Sequence, residues 1–445
     1  MRLLRALVML SLGVGATLTV APSPAVADRR LDRVTTLPLS AYADHVVDAA
    51  HRRIFVSAGA NGHRVTVVDL RGRILRTLTR LPGATEMALS ANGRWLYVAL
   101  RTDAIARIDT TTFREVGRYP VTTSHVGELA VAGRHVWFTA GAPGGAGQLV
   151  HVLDPRTGRA ALLSDRELLF ASLTAVPEAR VVVVGARWGN DAPLTSYDAR
   201  TREQLAARTL TESARRHTAT DDGQLAVVTA YEGSDHGRLL RLDPTDLTTV
   251  GTSDLPEPVR SSEVATNGSL TAIAYPGERA YSAVAIVDAV TSTYVDDVIL
   301  EDGRFVTAVP VPFFAEGRLY VVTVVDDEVR LNRLRNPGVP GPQLSLSTHS
   351  DAPVGHPTTL TGALTDAAGP VAGAEVVVTD TDSRGWLPPR SRVVVTAADG
   401  SFSVSYTPRD LEERILLDFA GDASRPAARE EQYVWFARQS PSEKN

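Results

Sequence analysis

Between residues 31 and 335, apolar positions come in short runs rich in Val, Ile, Leu and Thr, broken by Gly, Asn, Asp and Pro. No long helical periodicity occurs, so the pattern predicts strands and turns. The runs also repeat. The segments VTVVD, IARID, VHVLD, LTSYD, LLRLD and AIVD end in Asp69, Asp109, Asp154, Asp198, Asp243 and Asp288, spaced 40, 45, 44, 45 and 45 residues apart. A second apolar strand precedes each aspartate, as in HRRIFVSA at 51–58, ANGRWLYVA at 91–99, EARVVVVG at 178–185 and DDGQLAVV at 221–228. Gly93, Gly223 and Gly268 suit the positive-φ position of the hairpin turns. Each unit reads as inner strand, turn, second strand, variable loop, third strand, Asp turn and outer strand. A repeat of this length with several strands per unit predicts the blades of a β-propeller, which stack to bury both sheet faces.

A further unit starts at Thr307, runs through EGRLYVVT at 316–323 and VRLNRL at 329–334, and lacks an outer strand. RVTTLPL at 33–39 has the pattern of the outer strand EVGRYPV at 115–121 and can supply it. That pairing would close the ring and remove its open edges. Seven blades over residues 28–335 are the expectation. The repeated aspartates are assigned to turns, because Thr112, Thr157, Thr201 and Thr291 stand three residues after four of them, and both side chains cap backbone N–H groups in tight turns.

The unit Ser90-Ala91-Asn92-Gly93-Arg94-Trp95-Leu96-Tyr97-Val98-Ala99, followed by IARID, resembles the YVTN-type propeller repeat. That repeat combines a Ser-Pro-Asp-Gly-like turn, a Leu-Tyr-Val-Ala strand and a Val-x-Val-Ile-Asp strand. The resemblance implies a fold and leaves function open, because its residues are those that build blades.

After Pro342 the texture changes to alternating strands separated by Gly and Pro turns, with no repeat of the earlier length. This predicts a small β-sandwich at 343–438, behind a linker at 336–342 and ahead of a disordered tail at 439–445. The stretches Leu360-Thr361-Gly362, Gly369-Pro370-Val371-Ala372-Gly373-Ala374 and Ala398-Asp399-Gly400-Ser401-Phe402 resemble immunoglobulin-like domains of actinobacterial secreted and surface proteins. In that family they are spacers or adhesion modules. The fold class expected is all-β, a seven-bladed propeller followed by an immunoglobulin-like sandwich. Asp380-Thr381-Asp382-Ser383-Arg384-Gly385 lacks the further acids of a calcium loop and is assigned to a solvated turn.

The N-terminal pattern leads to the expectation of a secreted, extracellular chain. Arg2 and Arg5, an apolar run from Ala6 to Val20 and the small-residue site Ala25-Val26-Ala27 read as a signal peptide at 1–27. There is no cysteine, so stability must come from core burial. Of 46 basic residues only Lys444 is lysine, the codon usage of a GC-rich, actinobacterial-type genome. A net charge of −5 with interspersed signs gives no basic stripe for nucleic acid. No segment after the signal is apolar enough to span a membrane, and a monomer is expected.

Local catalytic motifs are missing: there is no Gly-x-Ser-x-Gly elbow, His-Glu-x-x-His pair, phosphate loop or dinucleotide fingerprint. Candidates for ligand binding are therefore the polar residues that open each inner strand, where strands meet at a channel rim: His45, Glu86, Glu128, Ser172, Arg216, His217 and Glu263. Loops at 141–148, 187–191 and 232–237, with Trp188 and His236, are a second set. The function expected is a secreted, non-enzymatic binding or scaffold protein contacting an extracellular protein or polysaccharide. The alternative is a cation-dependent propeller enzyme of the lyase or lactonase type, with a divalent cation as its cofactor. It is motivated by Gly133-Arg134-His135-Val136-Trp137-Phe138-Thr139, which resembles a streptogramin lyase blade but has Ala140 where that family has Glu.

Overall fold

A computed structural model of the chain describes residues 31–437 apart from 122–124, 143–146, 187–191, 211–212, 221, 231–236, 256–262, 268, 277–281, 289–293, 302–310, 335–341, 348, 367, 383–387, 423–424 and 426–427. The signal segment, residues 336–341 of the linker, the tail at 439–445, Gly268, Trp188 and His236 lie outside the described residues.

Up to residue 334 the described residues form seven four-stranded antiparallel sheets. Sheets 1 to 6 occupy 45–79, 84–120, 126–168, 171–210, 213–255 and 263–301, each with its strands in chain order. Sheet 7 combines Val311–Ala315, Arg318–Val325 and Glu328–Leu334 with Leu31–Thr36 from the other end of the sequence. Val34 stands opposite Asn332 and Thr36 opposite Arg330 in this pairing.

Alternation along each second strand explains why the sheets stack. In sheet 1, Phe55 packs with Met87, Leu96 and Val98 of sheet 2, while its neighbours Ile54 and Val56 pack with Phe313, Tyr320 and Val322 of sheet 7. Successive side chains of a strand point to opposite faces, so one strand serves two interfaces. The same arrangement joins sheets 2 and 3 through Tyr97 and Phe138, sheets 3 and 4 through Trp137 and Val182, and sheets 4 and 5 through Val183 and Val227. Val228 and Ile273 join sheets 5 and 6, and Ile286 and Val321 join sheets 6 and 7. The succession is cyclic, as in a β-propeller. Each of these buried Val, Leu or Ile side chains contributes about 1.5–3 kcal/mol relative to exposure.

Five of the six periodic aspartates sit in turns, and the residues after Asp288, Thr291 among them, lie outside the described residues. Asp109 accepts from the N–H groups of Thr111 and Thr112 at 2.9 and 2.8 Å, and Asp198 from those of Arg200 and Thr201 at 2.8 and 2.6 Å. Asp69, Asp154 and Asp243 do likewise. The donors favour the charged carboxylate, and backbone N–H groups hold Asp109, Asp154 and Asp198 below the usual carboxylate range. Gly93 and Gly223 have φ of 67° and 79° in their hairpin turns.

From residue 343 onward two further sheets form. One joins Gln343–Leu346, Thr358–Asp366, Gly369–Pro370 and Ser401–Tyr406; the other joins His349–Pro353, Ala428–Ala437, Glu412–Phe419, Glu375–Asp382 and Arg390–Val395. Leu360, Leu364, Phe402 and Val404 of the first share one core with Val376, Val378, Ile415 and Val434 of the second. Asp380 departs from the solvated-turn expectation. It is 1% exposed, lies in a strand and accepts from Arg390 Nε at 3.0 Å and Arg409 at 2.9 Å, so guanidinium groups replace the water a turn would have offered.

Deleting residues 31–36 should leave Glu328–Leu334 as an open edge with both sheet faces apolar. We expect a lowered thermal midpoint and self-association on size-exclusion chromatography, against the intact chain under the same conditions.

Candidate functional site

The inner strands bring their polar residues towards the axis of the ring, and three of them do so through an irregularity. Register shifts occur between Ala84 and Met87, between Val126 and Leu129, and between Ala214 and Arg216. These bulges lie at or beside Glu86, Glu128 and Arg216. An extra residue at a bulge bends the strand and re-aims the local side chain, which is how an otherwise apolar strand offers a charge to the axis.

Arg216 is the hub. Its guanidinium donates to Glu263 of the next sheet and lies 3.6 Å from Glu128, two sheets back. The side chains of Arg216, Glu128 and Glu263 are 26%, 18% and 23% exposed: protein surrounds them, with some contact left to water. Asp44, in the irregular segment ahead of His45–Asp48, joins them. It accepts from the Met87 N–H at 2.7 Å and so ties sheet 1 to sheet 2. Tyr42 shares a hydrogen bond of 2.9 Å with His45 Nδ1, and the His45 ring lies 4.3 Å from that of Phe313 in sheet 7.

Among the described residues, Glu128 and Glu263 thus contact one guanidinium, Asp44 and Glu86 lie within its electrostatic influence, and burial decides the protonation of all four. It pushes Asp44 up to about 7, against the Met87 N–H that favours the charged form. Glu128 is pushed up to about 7 by burial, opposed by Arg216. Burial, reinforced by Glu128 and Asp44, takes Glu86 well above the usual range, and Glu263 is raised by burial against the pull of Arg216. Burial and Arg216 lower His45 to about 4, leaving a neutral imidazole. A desolvated carboxyl beside other carboxylates keeps its proton more readily than a solvated one. Asp44 and Glu128 therefore change protonation near neutral pH.

Ser172 and His217 occupy a different place. Ser172 Oγ lies 2.5 Å from His217 Nε2, and Thr174 Oγ1 lies 2.8 Å from Nδ1. At 3% and 8% exposure, the pair is buried between sheets 4 and 5 against Gly185, where a Cβ would come within 2.9 Å of His217. A serine nucleophile needs a base oriented by a third group and access to substrate. Here the third group is a neutral hydroxyl, and burial with Arg216 lowers His217 to about 4. The pair fastens two sheets.

The structure thus brings Glu86, Glu128, Arg216 and Glu263 together, with His45 at their flank. It adds Asp44 and Tyr42, which lie outside the repeat. No group of three or more His, Asp or Glu side chains with metal-holding geometry occurs among the described residues. Instead, Glu128 and Glu263 converge on a guanidinium.

Stability should follow these protonation states. An acid raised by folding costs stability as it ionises, beginning above the unfolded value near 4 and reaching its full cost above about 7. His45 and His217 act oppositely, removing stability as pH falls from about 6.5 to about 4. Above pH 6.5 the acids act alone, so the denaturant midpoint should fall between about pH 6.5 and 8.5, and Glu86→Gln should flatten that fall. Arg216→Gln should cost about 2–3 kcal/mol at pH 8, where the acids lose their cation, and less at pH 5.

No known protein-family model and no curated protein matches the chain. Among solved structures it is similar to Kuenenia stuttgartiensis hydrazine synthase, at 14% identity and a TM-score of 0.52, over 67% of this chain and 97% of that one. It is also similar to the β-propeller domain of Myceliophteria thermophila Cps50 (Swd1), at 13% identity and a TM-score of 0.53, over 68% of this chain and 98% of that one. At such identities the likeness carries the fold, a β-propeller, and nothing of the site.

Proposed function

We propose that the chain is an exported, non-enzymatic binding or scaffold protein. Residues 28–335 form a seven-bladed propeller that presents the contact surface, and residues 343–438 form an immunoglobulin-like sandwich, joined through 336–342, that spaces or attaches it. The observation that carries this reading is the pairing of Arg216 with Glu128 and Glu263. Among the described residues, the Arg216 guanidinium at the ring axis is taken up by two of the carboxyl groups around it. A closed ring whose axial cation is already paired suits recognition, and because the fold itself hosts many unrelated functions the reading rests on this site. The signal-like segment at 1–27 supports export, and the strand-and-turn pattern after residue 342 supports the sandwich.

A second reading draws on the convergence of Asp44, Glu86, Glu128 and Glu263: a propeller enzyme that recruits a divalent cation to these carboxyls. The two readings separate on one protein preparation. On the first, the full chain binds an extracellular protein or polysaccharide saturably on an array of purified glycans and peptides, and calcium or magnesium leaves its thermal midpoint unchanged. Glu86→Gln with Glu128→Gln should then weaken binding about tenfold, equivalent to about 1.4 kcal/mol, if the ligand reaches the axial rim. A stoichiometric bound cation, with a thermal shift abolished in the same double variant, would replace the binding reading with the enzymatic one.

A further inference from the structure

We propose that a basic cleft at the seam where the ring closes binds phosphate-type oxyanions. The cleft has a volume of about 590 Å³ and lies between the closing strand of sheet 7 and the first Asp turn. Arg33 comes from the closing strand, Arg52 from the turn ahead of the second strand of sheet 1, and Arg71 and Arg73 from the Asp69 turn. All four are exposed. In a chain of net charge −5, such a concentration of positive charge is local, and it is built from residues 33–73, where the closing strand lies beside the first sheet.

The one acid lining the cleft is engaged in its own turn. Asp69 Oδ1 accepts from the Arg71 and Arg73 N–H groups at 2.9 and 2.8 Å, and Oδ2 accepts from Arg73 Nε at 3.2 Å. Arg52 contacts Glu316 at 2.7 Å, but both side chains are exposed, at 66% and 38%. A pair of that kind is weak and exchangeable. Arg33 and Arg71 form no ion pair among the described residues. Planar guanidinium groups donate two parallel hydrogen bonds to an oxyanion, a geometry that phosphate matches.

The walls are fixed relative to one another. Gly72, at φ 79°, lets the Asp turn lie directly on the closing strand, and a Cβ there would come within 2.4 Å of Thr35 Oγ1. Tyr320 of sheet 7 donates to the Leu70 carbonyl at 2.8 Å. Leu75, 41% exposed, gives the cleft an apolar side that can receive the stem carrying a phosphate. A phosphodiester on a polyol polymer and the headgroup of an anionic lipid share this chemistry. The inference rests on the propeller being a binding module and uses none of its axial residues.

The test is calorimetric titration of the full chain with inorganic pyrophosphate and poly(glycerol phosphate), and sedimentation with vesicles of phosphatidylglycerol in phosphatidylcholine or of phosphatidylcholine alone. We expect pyrophosphate to bind, weakening as salt rises, and one of the two phosphodiester forms to bind more tightly. Binding of the polymer alone assigns the source to a polymer, and binding of the phosphatidylglycerol vesicles alone assigns it to a lipid. Arg33→Ser with Arg71→Ser should weaken binding about tenfold or more, whereas Arg118→Ser, paired with Glu115 on sheet 2, should not. Arg52→Ser repeats the test without touching the closing strand and should weaken binding too. Absence of binding to every phosphate probe, or an equal loss in Arg118→Ser, overturns the site. If Glu86→Gln with Glu128→Gln abolishes phosphate binding while the arginine variants retain it, the seam is refuted and the binding module stands.

Discussion

Pairing of Leu31–Thr36 with Glu328–Leu334 is the interaction on which the other sheets depend. Each sheet is apolar on both faces, as the two-sided packing of Ile54, Phe55 and Val56 shows, so each is stable only between two neighbours. A linear stack would leave two such faces and two unpaired edges in water. Joining the first strand to the last sheet brings the two end faces together and covers the Glu328–Leu334 edge. The cost is loop closure over nearly the whole repeat region, and that entropy grows only logarithmically with chain length. Burying another interface of the kind made by Phe313, Tyr320 and Val322 exceeds it.

Closure also creates the axial chemistry. Inner strands from all sheets are forced towards one line, and any polar side chain they carry there loses part of its hydration. Carboxyl groups respond by keeping protons, and the raised values of Asp44, Glu86 and Glu128 express that response. One guanidinium cannot neutralise four carboxylates. Arg216 holds Glu128 and Glu263, while Asp44 depends on the Met87 N–H. Protonation supplies the remaining compensation, which makes the axis sensitive to pH near neutrality.

The repeat was legible because turn chemistry is local: an aspartate that caps its own turn leaves a mark at a fixed spacing. The place of the first strand was legible too, since a unit without an outer strand must find one elsewhere. Facing was harder to read. Arg216 and His217 are adjacent in one strand and must point to opposite sides, so both could not line the axis. The bulges that decide which one does have no local sequence signal. Asp44 and Tyr42 escaped because they precede the inner strand, outside the pattern that located the other candidates. Asp380 escaped because its arginine partners, Arg390 and Arg409, are brought to it only by the sandwich fold.

The two polar regions of the propeller have opposite characters, and this bears on what each admits. At the axis, among the described residues, acids outnumber the Arg216 guanidinium and ionise further as pH rises, so an anionic ligand meets increasing repulsion there. Outside, at the seam, arginines outnumber the one lining acid, and Asp69 is fixed in its charged form by its own turn. Guanidinium groups stay protonated over the whole range in which the axial carboxyls titrate. An anion is therefore repelled at the axis and attracted to the seam, and a change of pH from 6 to 8 strengthens the first effect. The seam exists only because the chain closes its ring with an N-terminal strand: Arg33 is carried to Arg71 and Arg73 by the same pairing that completes the seventh sheet.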